Sequence, residues 1–234
     1  MQRGLSQERL AFQAEISTRH LSFLETGRSA PSREMALILA GSLDLPLRDQ
    51  NVLLRAAGFA PIFRESALDG PELDAVSRAL DHILAAQEPH AAVVFDRAWN
   101  VKRMNAGASR LLGWALEGKS PPPDVLANGI KLLLHPEGLR EHVADWERLA
   151  AGLIWRTRRE QAARPDPRID ALLTDLLRYP GMPERMGSAI VDEVMAGRPF
   201  LGVRFERAGV TLDFFTTLTS LGTPLDVTAE DTQI

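Results

Sequence analysis

Cysteine is missing from all 234 positions. Disulfides, thiolate metal sites and a cysteine nucleophile are thereby excluded. No charge-free apolar run approaches the roughly 18 residues that cross a bilayer, so no membrane association is expected. No charged-then-apolar leader opens the chain, and the expected location is cytoplasmic. A positive excess is missing too: 27 Lys and Arg face 31 Asp and Glu, a net charge of −4. That excludes a generally adhesive, basic binder of nucleic acid. Catalytic signatures are also lacking, with no G-x-S-x-G, H-E-x-x-H or phosphate-binding glycine loop. The histidines at 20, 82, 90, 135 and 142 form no constellation. His135 and His142 would sit two helical turns apart, too far for a tight metal site. No catalytic residue, metal or cofactor is expected, and the chain does not read as an enzyme.

The charge that is present is unevenly placed. Residues 1–64 carry eight Arg against six Asp or Glu, a balance of +2, and the remainder carries 19 basic and 25 acidic residues, a balance of −6. The apolar content of 45% suits a globular protein, and the length gives room for one large or two modest domains.

The segment Leu5–Ser32 reads as two short helices joined by a tight turn, with a third starting at Ser32. Ser6 caps a helix over 7–14 and Ser17 caps the next, which Gly27 ends in the left-handed conformation. Leu10, Ala14, Leu21 and Leu24 supply the apolar face. Met35, Leu39 and Leu43 point inward from the third helix, and a fourth covers 48–57. This order is a helix-turn-helix, which places its second helix in the DNA major groove. The first turn of that helix presents Ser17, Thr18, Arg19 and His20. Arg19 can hold guanine O6 and N7 together, worth about 1–3 kcal/mol of discrimination. Phe23 can pack on a thymine methyl, and Gln7 and Arg28 are placed for phosphate.

Glu65–Pro71 looks like a linker. A helix over 72–87 follows, then a strand over 91–96 and a second strand in which Trp99, Val101 and Arg103 alternate with polar neighbours. Asn105 starts a helix to about Leu112. His135-Pro136-Glu137 puts proline at the first position of a long helix, with a stripe of Leu139, Val143, Trp146 and Leu149. Helices near 168–178 and 183–196 come next. A hairpin of Phe200–Phe205 and Val210–Leu218 turns at Arg207-Ala208-Gly209. The expected layout is two-domain: an all-α helix-turn-helix domain (1–64), the linker (65–71) and an α+β domain (72–234).

Residues 5–64 resemble an XRE-type helix-turn-helix domain. The likeness rests on L-S-Q-E-x-L-A (5–11), I-S (16–17), H-L-S-x-L-E-x-G-R (20–28), P-S-R-E-M (31–35) and L-L-R-A-A-G-F-A-P (53–61). The whole chain resembles the MmyB-type regulators. There the match rests on D-R-x-W-N-V (96–101), M-N-A (104–106), L-L-L-H-P-E-G-L-R (132–140), W-E (146–147), L-L-R-Y-P-G (176–181) and L-G-T-P-x-D-V-T (221–228). The resemblance implies a PAS-like second domain and a fatty-acid or similar apolar ligand. Trp99, Val101, Met104, Leu111, Leu112, Trp114, Phe200, Phe214 and Phe215 could line its cavity or form a packed core. Arg103, Asn105 and His135 are candidates for a carboxylate headgroup. The resemblance also implies double-stranded DNA as partner and a homodimer reading two half-sites.

Two positions depart from the family pattern. Glu15 stands where the turn usually has glycine, at a cost of about 1–2 kcal/mol. Domains of this type also carry a helix before Leu5, so a truncated first helix or a degenerate site is expected. Relatives continue past Ile234, and the sheet would then lack an edge strand. The competing reading is an interaction module, with a degenerate helix-turn-helix and no small-molecule ligand.

Overall fold

Three serines begin the first three helices of the chain. In the computed structural model, which describes residues 5–182 and 202–234, the helices are α1 (Gln7–Gln13), α2 (Thr18–Glu25), α3 (Arg33–Ser42) and α4 (Leu47–Ala56). The hydroxyls of Ser6, Ser17 and Ser32 accept hydrogen bonds from the N–H groups of Arg9, His20 and Met35 at 3.2, 3.1 and 3.1 Å. Each satisfies one of the backbone donors that a helix start leaves unpaired. Ala11, Ala14, Leu21, Ala36, Ala40 and Leu54 are buried. The four alanines keep the facing side chains short, so the helices approach closely. Glu15 sits at φ 54°, the left-handed turn position expected for it. Gly27, at φ 69°, ends α2, with the Arg28 N–H donating to the Phe23 carbonyl at 2.8 Å.

Packing groups the chain into two compact units. The first compact unit comprises 1–77 together with 221–231, and the second comprises 78–220 together with 232–234. The reason is chemical. Buried Asn51 donates to the Phe63 carbonyl at 2.7 Å and accepts from the Ile62 and Phe63 N–H groups, which ties the chain after α4 back to that helix. Glu65 pairs with Arg48 at 2.6 Å. The Ser66 N–H donates to the Asp226 carboxylate at 3.1 Å, so the supposed linker is held on both sides. A short helix, Val227–Asp231 (here α11), completes this unit; its small size and charge hid it from sequence periodicity.

The second unit begins within α5 (Asp74–Ala86). Strands β1 (Val93–Phe95) and β2 (Val101–Met104) form one antiparallel pair, and β3 (Gly202–Arg207) and β4 (Val210–Phe215) another. Ala208 and Gly209, both left-handed, make the two-residue turn between β3 and β4. Between the pairs run α6 (Ala106–Ala115), α7 (Pro123–Leu126), α8 (Gly129–Leu134), α9 (Trp146–Ala163) and α10 (Pro167–Leu176). The core of this unit gathers Trp99, Ile130, Leu134, Leu139, Ile154, Leu176 and Phe205, among others, from nearly every one of these elements.

Three expectations are corrected. Trp99 is not in a strand: it stands at φ 66° in the turn before β2. The final strand stops at Phe215 rather than Leu218. The long helix begins at Trp146, ten residues after Pro136. Two bonds account for the late start. The Leu139 N–H donates to the Leu132 carbonyl, folding the chain back onto α8, and the Ala144 N–H donates to the Arg204 carbonyl of β3. A backbone committed to those partners cannot make i→i−4 bonds. The expected helix near 183–196, and Phe200, lie outside the described residues.

Candidate functional site

The start of α2 is presented outward. Ser17, Thr18 and Arg19 are exposed, His20 is half-buried, and Leu21 beneath them is 2% exposed. Burial of Leu21 fixes the rotation of the helix, and that rotation aims the first-turn polar side chains away from the fold. Half-buried Phe23 lies between two cations. The Arg19 guanidinium carbon sits 5.4 Å from its ring centroid and that of Arg28 6.0 Å. Both distances fall within cation–π range. The ring is therefore flanked by both guanidinium groups. Gln7, expected at phosphate, donates from its amide nitrogen to the Glu25 carboxylate at 2.6 Å. That bond joins the starting turn of α1 to the last residue of α2.

In the second unit, sequence motifs far apart in the chain meet. Arg140 stacks over Trp146 at 3.3 Å and donates to the Pro180 carbonyl at 2.5 Å. Gly181 leaves the room for it, since a Cβ there would stand 2.9 Å from the guanidinium. His135 meets Tyr179 edge-on at 4.8 Å. Thus H-P-E-G-L-R, W-E and R-Y-P-G form one clamp across the ends of α8, α9 and α10.

The D-R-x-W-N-V motif is a turn built around Asp96. Its carboxylate accepts from the Ala98 and Asn100 N–H groups at 2.9 and 3.0 Å and pairs with Lys102 at 3.1 Å. Asn128 donates to the Ala98 carbonyl at 2.8 Å. These contacts hold Trp99 in its left-handed conformation with the indole in the core. Sequence reasoning passed over Asp96 and Asn128; the signal available was an Asp placed two and four residues before the donors of a tight turn.

The expected ligand-lining residues divide into groups. Trp99 is in the core, and Leu112, Trp114 and Phe214 pack against it. Val101, Met104 and Leu111 are half-buried, and Phe215 is exposed. Among the headgroup candidates, Asn105 has no donor to spare. Its side-chain oxygen accepts from the Ala92 and Ala108 N–H groups, and its nitrogen donates to the Leu84 and His90 carbonyls. Glu88 fills the rest of the α6 start, accepting from the Gly107 N–H at 3.0 Å and from Arg110 at 2.7 Å. These hydrogen bonds, from Arg110 first, hold the Glu88 carboxyl below its usual range. Arg103 donates to Asp81 at 2.8 Å. His135 borders an open cleft of about 250 Å³ with Lys131, Tyr179, Asp124 and Asp175, where both carboxylates already hold Lys131.

No group of three His, Asp or Glu suited to a metal occurs among the described residues. Nor is any helix among them long and apolar enough to cross a membrane. Comparison with curated proteins gives no match. Two family models do match: a helix-turn-helix over residues 1–50 and the MmyB-like transcription regulator ligand binding domain over residues 76–232. Both are regulatory rather than enzyme families, which points away from catalysis. With a helix-turn-helix match over residues 1–50 and this domain over residues 76–232, the chain belongs to the MmyB-like family of ligand-responsive, DNA-binding transcription regulators.

Proposed function

We propose that the protein is a homodimeric regulator that reads an operator with the first turn of α2 and responds to a fatty acid held in its second unit. The observation that carries the DNA part is the buried Leu21 beneath exposed Ser17, Thr18 and Arg19. Arg19, steadied by Phe23, reads guanine. Arg28, on the other side of the same ring, contacts phosphate. A gel-shift titration with the protein's own upstream region separates the two roles. Arg19→Ala is expected to cost about 1–3 kcal/mol against the preferred base and to flatten sequence preference. Arg28→Ala is expected to weaken all sequences alike and to lower the salt slope by about one. Equal, sequence-blind losses from both variants would remove Arg19 as a base reader.

Support for an acyl ligand comes from the ligand binding domain match and from the apolar face of β3–β4, where Val203, Leu212 and Phe214 pack on the core. The polar cleft beside His135 suits a small charged group better than a chain. Native mass spectrometry of the purified protein is expected to show a co-purifying lipid, and medium-chain acids are expected to raise Tm. Neither effect would be seen if the ligand were polar.

A further inference from the structure

Helix α4 lacks a cap of its own. Its N-cap residue is Pro46, whose side chain makes no capping hydrogen bond. The Leu47 N–H instead donates to the Glu230 carboxylate at 3.0 Å, across 183 positions of sequence. A carboxylate at that end also suits the helix dipole. Next to it, Arg48 reaches Asp231 at 3.1 Å and Glu65 at 2.6 Å. Burial opposes its charge, but the two carboxylates outweigh burial and raise its pKa. Asp226 accepts from the Ser66 and Thr228 N–H groups, and the Val227 N–H donates to the Arg64 carbonyl at 2.8 Å. Val227 and Ala229 are 1% and 4% exposed. The DNA-reading unit therefore takes part of its core and one helix cap from the far end of the chain.

The flanks of that segment belong to the other unit. Thr219 and Ile234 exchange two backbone hydrogen bonds of 3.0 Å, and Gln233 exchanges two with Phe95 of β1, at 2.8 and 2.9 Å. Residues 221–231 are thus a loop whose neck is closed within the ligand-binding unit and whose body is built into the reader unit.

We propose that this loop is the transmitter between the two units: a shift at its neck changes how firmly Glu230 and Asp231 hold the start of α4. This rests on the reading that the second unit governs the first, but not on the identity of the ligand. Strain at the neck and loss of the cap are then two ends of one coupling, and coupling is reciprocal.

Hydrogen exchange on the full chain tests it without any ligand. Glu230→Ala is expected to speed exchange at Leu47 by about 2- to 30-fold, the usual range for a lost cap. It is also expected to speed exchange at Gln233 and Phe95 in the neck. Faster exchange at Leu47 with an unchanged neck would overturn the inference. A second variant reads the reverse direction and serves should the first fail to fold. Gln233→Pro removes the donor to Phe95 and is expected to speed exchange at Leu47 and Ser66. Effects confined to β1 would overturn the inference. Adding laurate separates this from the acyl reading. Laurate bound without coupled exchange would sink the transmitter alone. Coupled exchange in a protein that ignores laurate would sink the fatty acid alone.

Discussion

Asn105→Ala is expected to lower the stability of the ligand-binding unit by about 2–5 kcal/mol. Asn105 is buried and caps α6, and four backbone groups depend on it. Loss of the cap alone costs about 1 kcal/mol. The larger part comes from what stays behind. The Leu84 and His90 carbonyls and the Ala92 N–H lose a partner, and a buried polar group left unpaired costs about 1–3 kcal/mol. Asp would keep both accepted bonds, yet it would turn its second oxygen on two carbonyls, so Asn105→Asp is expected to be no better tolerated. Urea unfolding of the full chain, followed by tryptophan fluorescence, measures this, since all four tryptophans lie in the second unit. A loss below about 1 kcal/mol would mean that water replaces the side chain readily. A fatty-acid affinity that falls while stability holds would instead return Asn105 to the ligand.

Gly138→Ala is expected to be as damaging for a steric reason. The chain doubles back at this point, so a Cβ would run into the carbonyl oxygen of Leu132 and stand 3.3 Å from that of His135. Both obstacles are backbone, which cannot swing aside as a side chain could. The Gly138 carbonyl also accepts from Lys119 at 3.0 Å, and Leu139 beside it is 3% exposed in the core. Overpacking usually costs about 1–3 kcal/mol, and the upper end applies where the neighbour is rigid. Gly113→Ala is the matched control. That glycine lies within α6 with nothing within 4 Å of the added methyl. It should stabilise by roughly 0.5–1 kcal/mol, as alanine does in helix interiors. A thermal melt of the two variants side by side is expected to move Tm in opposite directions. Equal and small shifts would mean that the turn at 136–139 yields.

The reader unit was largely legible because its signals are local. Ser6, Ser17 and Ser32 cap helices where they stand, and Gly27 ends one. Glu15 shows that even a departure from the usual glycine could be placed, since the turn geometry overrides the residue preference. What escaped depends on partners far along the chain. Pro136 looked like a helix start because nothing nearby says that Ala144 will bond to Arg204. Trp99 fits the alternation of a strand, yet Asp96 gathers the donors around it into a turn. Glu230 lies in a short acidic stretch without periodicity, and only the fold reveals that it serves α4. Candidate ligand residues were the hardest to sort, because Trp99 and Phe214 would read the same way as core or as cavity wall.

The borrowed cap also bears on modularity. A reader head excised after Arg64, or grafted onto a foreign sensor, would arrive without Glu65, Asp226, Glu230 and Asp231, and so with Arg48 short of both counter-ions. Fusions that respect the covalent order of the chain would break its physical inventory; a faithful swap must carry eleven residues from the tail along with the head.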